Sequence, residues 1–483
     1  MSLIRFTQRH TAYALAVSLM TTLSSLTPLA AQTEPVKAPT QIDSAKAAEL
    51  SKTQQEAQKF YGAGEGQARN ANYRGAIENY NKAIELNPNL STAYVGRGAA
   101  RSTLGDSTGA IADFDEAIKL SPFDAGAYAQ RGTTQYTVGN ANDAIADLNK
   151  AIELNPSLVS AYVNRGHIRA QSGDAEGAIA DFNQALQLQP TNAPALLNRG
   201  YVRFSKGDRQ AAMDDLNQAI KLQPNYAEAY LSRGTFHHEI GESEAAIADF
   251  GQAIRLKPTY TSAYYNRGLA HSKLGNLEAA QADFDEVVKL NPDKTDAFLR
   301  RGMVRAALKD SQGAIADYNQ ALKLQPDNIE VLKSRGDLRA SVGDKPGALA
   351  DYNQALQVKS DYAAAYVSRA EARSEMGDQA GAIADYTQAV SLDTTDARAY
   401  ENRGKARMEQ GDTRGAIADF SQTLRINSTS ADAYYQRGVL LSQLGDRQEA
   451  LTDLRQAADL YLQQGQAEGY RSVLNQIVKL KNQ

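Results

Sequence analysis

The 483-residue chain contains no cysteine. That excludes disulfides, thiol catalysis, cysteine-ligated zinc and lipid attachment through an N-terminal cysteine. Stability without covalent staples must come from packing, which a chain of this length can supply. An excess of charge of one sign is also missing. Lys+Arg number 52 against 56 Asp+Glu, a formal net charge of −4. A nucleic-acid partner is not expected, because binding one needs a clustered basic face that displaces counterions. Long apolar runs are confined to the N-terminus, so no membrane span is expected in the mature chain.

The first 31 residues stand apart. Arg5, Arg9 and His10 make a basic start, and residues 12–20 are apolar except for Ser18. Small and polar residues lead from there to Leu29-Ala30-Ala31. This order predicts a secretory signal peptide over residues 1–31, cleaved after Ala31, with Leu29 an imperfect match to the small-residue exit. The expected location is the periplasm or the outside of the cell. The alternative is an uncleaved membrane anchor. Seven Ser/Thr and a proline between Thr11 and Ala31 argue against a spanning helix there. Residues 32–40 carry Pro35 and Pro39 and read as a flexible lead. Asp43 is placed to cap a helix that runs through Ala45, Ala47, Ala48 and Leu50 toward a first repeat, so residues 32–56 are lead and N-terminal helix.

A fixed period governs the rest. Arg97, Arg131, Arg165, Arg199, Arg233, Arg267, Arg301, Arg335, Arg369, Arg403 and Arg437 are each 34 residues apart, with no insertion or deletion. Glycine follows every one except Arg369, which precedes Ala370, and Ala63-Gly64 holds the same slot one period earlier. The series gives twelve repeats over residues 57–464, a signature of stacked supersecondary units.

Within residues 91–124, Tyr94, Gly98 and Arg101 fall on one face of a first helix. Leu104-Gly105-Asp106 closes it. Gly105 is suited to the left-handed conformation and Asp106 to capping a second helix. Ala110, Ile111, Phe114, Ala117 and Ile118 form the expected buried stripe of that second helix, and Pro122 lies just past its end. Each repeat is thus a helical hairpin too small to bury its own apolar face, and it must stack on its neighbours. Alanine recurs at one slot in all twelve, from Ala76 to Ala450, which lets the paired helices approach closely.

The pattern Tyr94, Gly98, Ala110, Phe114, Ala117, Pro122, repeated along most of the chain, resembles the tetratricopeptide-repeat (TPR) family. The resemblance implies an all-α, right-handed superhelical solenoid of about twelve 34-residue hairpins. Residues 465–483 add a C-terminal capping helix, in which Tyr470, Val473, Leu474, Ile477, Val478 and Leu480 are expected to form one apolar face. The sequence departs from the family in two ways. The usual leucine before the repeat glycine is arginine, and the closing proline becomes Ser360, Thr394 and Ser428 in late repeats, where less rigid junctions are expected.

Aspartates from Asp113 to Asp453 recur sixteen residues after each ladder arginine, directly across an antiparallel helix pair. The expected arrangement is an internal Arg–Asp ladder that fixes hairpin register; the alternative is a row of cationic sites for acidic ligands. A second basic column contains Arg101, Arg169, Arg203, Arg305, Arg339, Arg373 and Arg407, with His237 and His271 in the same slot. The histidines read as replacements for arginine, not as metal ligands; Glu239 is the nearest carboxylate in sequence. Residues 62–66 resemble a glycine-rich phosphate loop, but no strand precedes them. No catalytic set stands apart from the repeat. No enzyme activity, metal or cofactor is expected.

In TPR proteins the first helices line an inner groove. The resemblance therefore assigns Asn164, Asn198, Asn266 and Asn402 to that groove, with Gln130 and Gln436 in the same slot. Amides can bond both the N–H and the C=O of an extended peptide. Val163, Leu197, Leu231, Tyr265 and Leu299 occupy the adjoining slot, and Tyr201, Leu269 and Met303 lie one turn on. Lys333, Asp337, Glu371, Glu401 and Lys405 follow in the later repeats, so the expected groove turns from apolar to charged. The function this implies is a scaffold binding a peptide or protein partner in the groove, in envelope assembly or transport. The alternative is a self-assembling structural solenoid without a peptide ligand. Partner identity and oligomeric state are not encoded in any motif.

Overall fold

The structure, a computed structural model, describes residues 44–482. The expected signal peptide, the lead at residues 32–40 and the capping role of Asp43 lie outside the described residues. Among the described residues there are twenty-five helices and no strand. The chain divides into two compact units, up to Ala263 and from Tyr264.

In the first unit, α1 (Ser44–Arg69) and α2 (Tyr73–Leu86) precede α3 (Ser91–Thr103) and α4 (Ser107–Leu120). Then come α5 (Ala125–Thr137), α6 (Ala141–Leu154), α7 (Val159–Gln171), α8 (Ala175–Leu188), α9 (Ala193–Ser205), α10 (Arg209–Leu222), α11 (Ala227–Glu239) and α12 (Ser243–Leu256). Helix α13 (Thr261–Lys273) carries the division between units. The second unit continues with α14 (Leu277–Leu290), α15 (Thr295–Ala307), α16 (Ser311–Leu324), α17 (Ile329–Ser341), α18 (Lys345–Val358) and α19 (Ala363–Glu375). It ends with α20 (Gln379–Leu392), α21 (Ala397–Glu409), α22 (Thr413–Ile426), α23 (Ala431–Leu444), α24 (Arg447–Gln463) and α25 (Ala467–Asn482). Residues 62–66 lie inside α1, so they form no loop.

The hairpin turn follows its sequence closely. Gly105 has φ +86°, and the Asp106 carboxylate accepts from the Gly109 N–H to cap α4. Lys309 adopts φ +64° and Ala71 φ +57° in the slot that glycine fills in the other hairpins. At the closing turn, Lys359, Asp393 and Asn427 precede the serine or threonine that replaces proline. Their φ values of −137°, −132° and −126° stay near the −138° of Asn87, which precedes Pro88. The substitution leaves this turn in the same conformation.

Packing inside each hairpin rests on small residues. The recurring alanine is fully buried in all twelve, from Ala76 to Ala450. A Cβ built on Gly166 would sit 2.8 Å from Cε1 of Phe182, so glycine there lets the ring lie against the first helix. Phe182 is wholly buried, a gain of about 2–3 kcal/mol from its apolar surface. The expected stripe of α4 needs one correction. Ala110, Phe114 and Ala117 are buried, but Ile111 and Ile118 are only half-buried, and Asp113 joins the buried set. Arg97 of α3 bonds that aspartate.

Helix α25 seats Val473 and Leu480 on a cluster that includes Leu454, Ala457 and Tyr461, with Tyr470 and Ile477 packed alongside. Leu474 and Val478 do not join them. They are 41% and 57% exposed, on the side of the helix turned from that cluster.

Candidate protein-binding face

The ladder expected from the 34-residue period is present in full. In all eleven hairpins, Nη2 of the arginine donates to Oδ1 of its aspartate at 2.5–2.8 Å. Nε donates to the same carboxylate. The second basic column closes on it too, as Nη1 of Arg101, Arg169, Arg203, Arg305, Arg339, Arg373 and Arg407 reaches Oδ2 at 2.7–3.0 Å. Each buried carboxylate is matched by guanidinium donors, the condition under which burying charge is tolerated. The arginines are consumed internally and present no row of anion sites.

A further partner was not foreseen. Nη1 of the ladder arginine also reaches back sixteen residues, to the second helix of the preceding hairpin. Arg131 meets Asp115 at 2.6 Å, Arg165 meets Asn149 at 2.6 Å and Arg301 meets Asp285 at 2.7 Å. Thr387 and Ser421 serve Arg403 and Arg437. One guanidinium thus joins two hairpins as well as two helices. The signal was present in the sequence, as a polar residue sixteen places before the ladder arginine, at Asn81, Asp115, Asn149, Asn183 and Asn217 among others; before Arg267 the slot holds Gly251, which has no side chain to offer.

Within each unit the first helices of neighbouring hairpins lie side by side, more closely than the second helices do. Side chains cross between them. Asn164 Nδ2 donates to Thr133 Oγ1 at 2.9 Å, from α7 to α5, and Asn402 Nδ2 to Glu371 Oε1 at 3.2 Å, from α21 to α19. Two of the expected groove amides therefore tie helices together. Asn266 is half-buried. Asn198 is buried, with its Oδ1 lacking a hydrogen-bond partner.

The apolar half of the expected groove requires correction. Val163, Leu197, Leu231, Tyr265 and Leu299 are all buried, between 0% and 6% exposed. They pack between hairpins: Val163 joins the cluster of Phe182 and Val202, and Leu299 that of Tyr318 and Val331. They line no open surface. The column one turn on is the accessible one. Thr133, Tyr201, Thr235, Leu269, Asp337, Glu371 and Lys405 are half-exposed, and Met303 is exposed. His167 is the buried exception in this column. Burial lowers its pKa to about 4, and its ring meets Tyr136 edge-on at 5.8 Å.

Charge on this column is concentrated in the second unit, with Glu65 in the first. Lys333 pairs with Asp337 at 2.6 Å, Lys405 with Glu401 at 2.6 Å, and Arg398 with Glu371 at 3.2 Å. Burial raises the Glu371 carboxyl above the usual range, against the pull of Arg398. Buried tyrosines reach the same surface from behind. Tyr352 donates to Asp337 at 2.9 Å, and in the first unit Tyr80 donates to Glu65 at 2.6 Å, each pair fifteen residues apart. Burial first, and the carboxylate second, push both phenols up. The repeats with an acid in this column, at Glu65, Asp337 and Glu371, carry Tyr80, Tyr352 and Tyr386 where the others, apart from Tyr318, carry phenylalanine or leucine. That pairing was legible in the sequence and was missed.

Among the described residues, no group of three or more His, Asp or Glu is placed to hold a metal ion, and no helix is long and apolar enough to cross a membrane. His237 faces Asp249 and Glu242, in the slot where other hairpins carry arginine.

Uniform hairpins, a small residue (glycine, or Ala370 in one hairpin) opposite each aromatic ring and first helices aligned side by side define an all-α solenoid of the tetratricopeptide type. Family models agree along the chain. One described as "TPR repeat" matches residues 72–105, 166–207, 200–241, 236–275, 371–411 and 404–445. Two described as "Tetratricopeptide repeat" match residues 265–329 and residues 91–124, 125–158 and 431–464. The chain belongs to the tetratricopeptide-repeat family, whose members mediate protein–protein interaction and are typically scaffolds without catalysis.

Solved structures similar to it include YrrB, described as "a TPR protein with an unusual peptide-binding site". That chain is 24% identical over 39% of this one and 97% of its own length, with a TM-score of 0.34. Yeast Tom70 is 19% identical, over 84% of this chain and 96% of its own, with a TM-score of 0.35. A tetratricopeptide repeat protein from Parabacteroides merdae is 22% identical, over 53% of this chain and all of its own, with a TM-score of 0.41. Comparison with curated proteins gives no match.

Proposed function

We propose that this protein is an exported scaffold that holds an extended segment of a partner protein against its first helices. The observation that carries the reading is the partly exposed column of the second unit, through Met303, Asp337, Glu371 and Lys405. The slots beside it are spent on packing and on ties between helices. The partner's charged side chains would exchange with the ion pairs of that unit. The basic and apolar start of the sequence supports export to the periplasm or beyond the cell, with a role in envelope assembly or transport. No catalytic role is proposed.

The test places a photo-crosslinking residue at Met303 or Glu371, and as a control at Lys289, an exposed position on α14. Crosslinked partners at 303 and 371 but not at 289 are expected in cells. Equal yields at all three positions, or none at any, would sink the reading.

A second reading, self-assembly, is favoured by one observation. The capping helix exposes Leu474 and Val478, two apolar side chains one turn apart, where a solenoid end is ordinarily polar. Sedimentation of the purified chain and of its Leu474→Lys/Val478→Glu variant decides it. Oligomers lost in the variant support self-assembly; a monomer in both at high concentration removes it.

A further inference from the structure

The hairpin of α11 and α12 carries three residues that no other hairpin of the first unit combines. Glu228 lies in the first turn of α11, Lys257 ends α12, and Tyr260 closes the turn that follows, where its N–H donates to the Lys257 carbonyl at 2.9 Å. Earlier hairpins put Thr92, Gly126, Ser160 and Pro194 in the slot of Glu228. An acid in a first turn suits the helix dipole, but the dipole gives no reason to bury it. The Glu228 side chain is nevertheless only 12% exposed. Tyr260 is 6% exposed, and its hydroxyl is buried without a hydrogen-bond partner. Burial first, and the charge of Glu228 after it, push this phenol up, so it keeps its proton. Lys257 Nζ lies 4.7 Å from the centre of the Tyr260 ring and 3.8 Å from Glu228 Oε1. The second distance is beyond hydrogen-bond reach. An ammonium is thus drawn toward the acid and the ring, yet the turn that carries it keeps it from closing on the carboxylate.

We propose that Glu228 and Tyr260 form a receptor for a lysine side chain of another polypeptide, a place that Lys257 fills loosely until it is displaced. A shielded carboxylate and an unpartnered buried hydroxyl are costly as they stand, and a ligand that bonds both recovers that cost. A lysine ammonium brings three N–H donors on a flexible stem. Arriving from outside, it is free of the turn that holds Lys257. It can donate to the Glu228 carboxylate and to the Tyr260 oxygen, and it keeps the attraction to the ring. Lys257 is 42% exposed, so its head moves into water at small cost. A planar guanidinium is a poorer fit to a space that one compact ammonium now fills. In the second unit, Glu330, Lys359 and Tyr362 repeat the three residue types in the same slots. There Glu330 is 50% exposed and 3.5 Å from Arg300, and Lys359 is 5.8 Å from the ring centre, so that copy is open and its acid already engaged. The receptor lies wholly in the first unit and does not rest on the column of the second.

Saturation-transfer NMR on the full chain tests this with the peptide acetyl-Gly-Lys-Gly-amide and its norleucine and arginine counterparts. The lysine peptide should bind the wild type more tightly than either counterpart. Lys257→Ala, which empties the receptor, should tighten the lysine peptide about tenfold, the scale of a part-buried ion pair joined to a cation–π contact. Adding Glu228→Gln should reverse that gain, and adding Tyr260→Phe, which keeps the ring without the hydroxyl, should weaken binding about threefold. Lysine binding no tighter in Lys257→Ala than in the wild type, or undiminished in Lys257→Ala/Glu228→Gln, overturns the proposal. So does norleucine or arginine binding equal to that of lysine. Lys257→Gln replaces the alanine variant should that one fail to fold. The outcome is separate from that of crosslinking at 303 and 371: either can fail while the other succeeds.

Discussion

Arg165 and Asp181, sixteen residues apart in sequence, meet face to face, with Nε to Oδ2 at 3.0 Å and Nη2 to Oδ1 at 2.6 Å. Arg169 adds a third donor at 2.8 Å, and the free Nη1 of Arg165 ties Asn149 of the hairpin before. The carboxylate is buried and the arginines mostly so. Removing the aspartate would strand two cations, whereas removing Asn149 would leave every buried charge matched.

Asp181→Ala is therefore expected to destabilise the first unit by about 3 kcal/mol, and Asn149→Ala by under about 1 kcal/mol. Replacing Arg165, Arg169 and Asp181 together with apolar residues of similar volume should cost less than Asp181→Ala alone. Urea unfolding followed by circular dichroism ranks the three. If the triple replacement is the most damaging, the ladder stabilises in its own right and does more than set register.

Two repeat glycines separate a yielding neighbour from an unyielding one. A Cβ on Gly132 would meet the backbone carbonyl oxygen of Ala144 at 2.9 Å, while on Gly268 it would first meet the Phe284 ring at 3.0 Å. A ring can shift by tenths of an ångström; the backbone of a packed helix can do so only with its partner. Gly132→Ala should cost about 2–3 kcal/mol and Gly268→Ala about 1 kcal/mol, at opposite ends of the overpacking range. Ala370, which stands naturally at this slot, shows that one hairpin accommodates the methyl group. Thermal unfolding of the two variants gives the comparison.

His167 lies buried with its pKa lowered to about 4 by burial. Its neutral form is the one the fold accepts. The unfolded chain takes up a proton near the ordinary pKa of about 6.5, so His167's contribution is whole above that pH and is lost progressively as pH falls toward about 4. The full swing is about 3 kcal/mol. The urea midpoint of the wild type should fall through this window more steeply than that of His167→Gln. Parallel curves would show that the imidazole reaches water.

Lys309 holds φ +64° at the turn where ten other hairpins have glycine with positive φ. A left-handed lysine costs about 1–2 kcal/mol, partly offset by the greater freedom glycine loses on folding. Lys309→Gly should raise stability by about 0.5–1 kcal/mol, read as a higher melting temperature of the variant. A lower one would mean that the lysine side chain makes a contact worth more than the strain.

The period, the hairpin turns, the Arg–Asp pairing and the capping aspartates could be read from the sequence because each depends on contacts within 34 residues, at offsets that helix geometry fixes. Gly105 and Asp106 are examples: one needs a left-handed turn and the other an N-cap, and both requirements are local. The face presented to solvent was less legible. Leu299 and Met303 lie one turn apart on the same side of α15, yet the first is buried and the second exposed. On the capping helix, Val473 is buried and the adjacent Leu474 exposed, because consecutive residues lie about 100° apart around the helix and only one of the two faces the preceding hairpin.

What the amino-acid order determined by itself was the repeating unit: where helices begin and end, which small residues let them touch, and which charges face each other inside a hairpin. The tertiary structure alone decided how far each hairpin slides over the next. That offset buried Val163, Leu231 and Tyr265, spent Asn164 and Asn402 on neighbouring helices, and left the column of Tyr201, Met303 and Glu371 to face solvent. The reason is geometric. A 3.6-residue period places positions four apart on one side of a helix, and only the crossing of a neighbouring helix over that side divides it into a covered half and an open one.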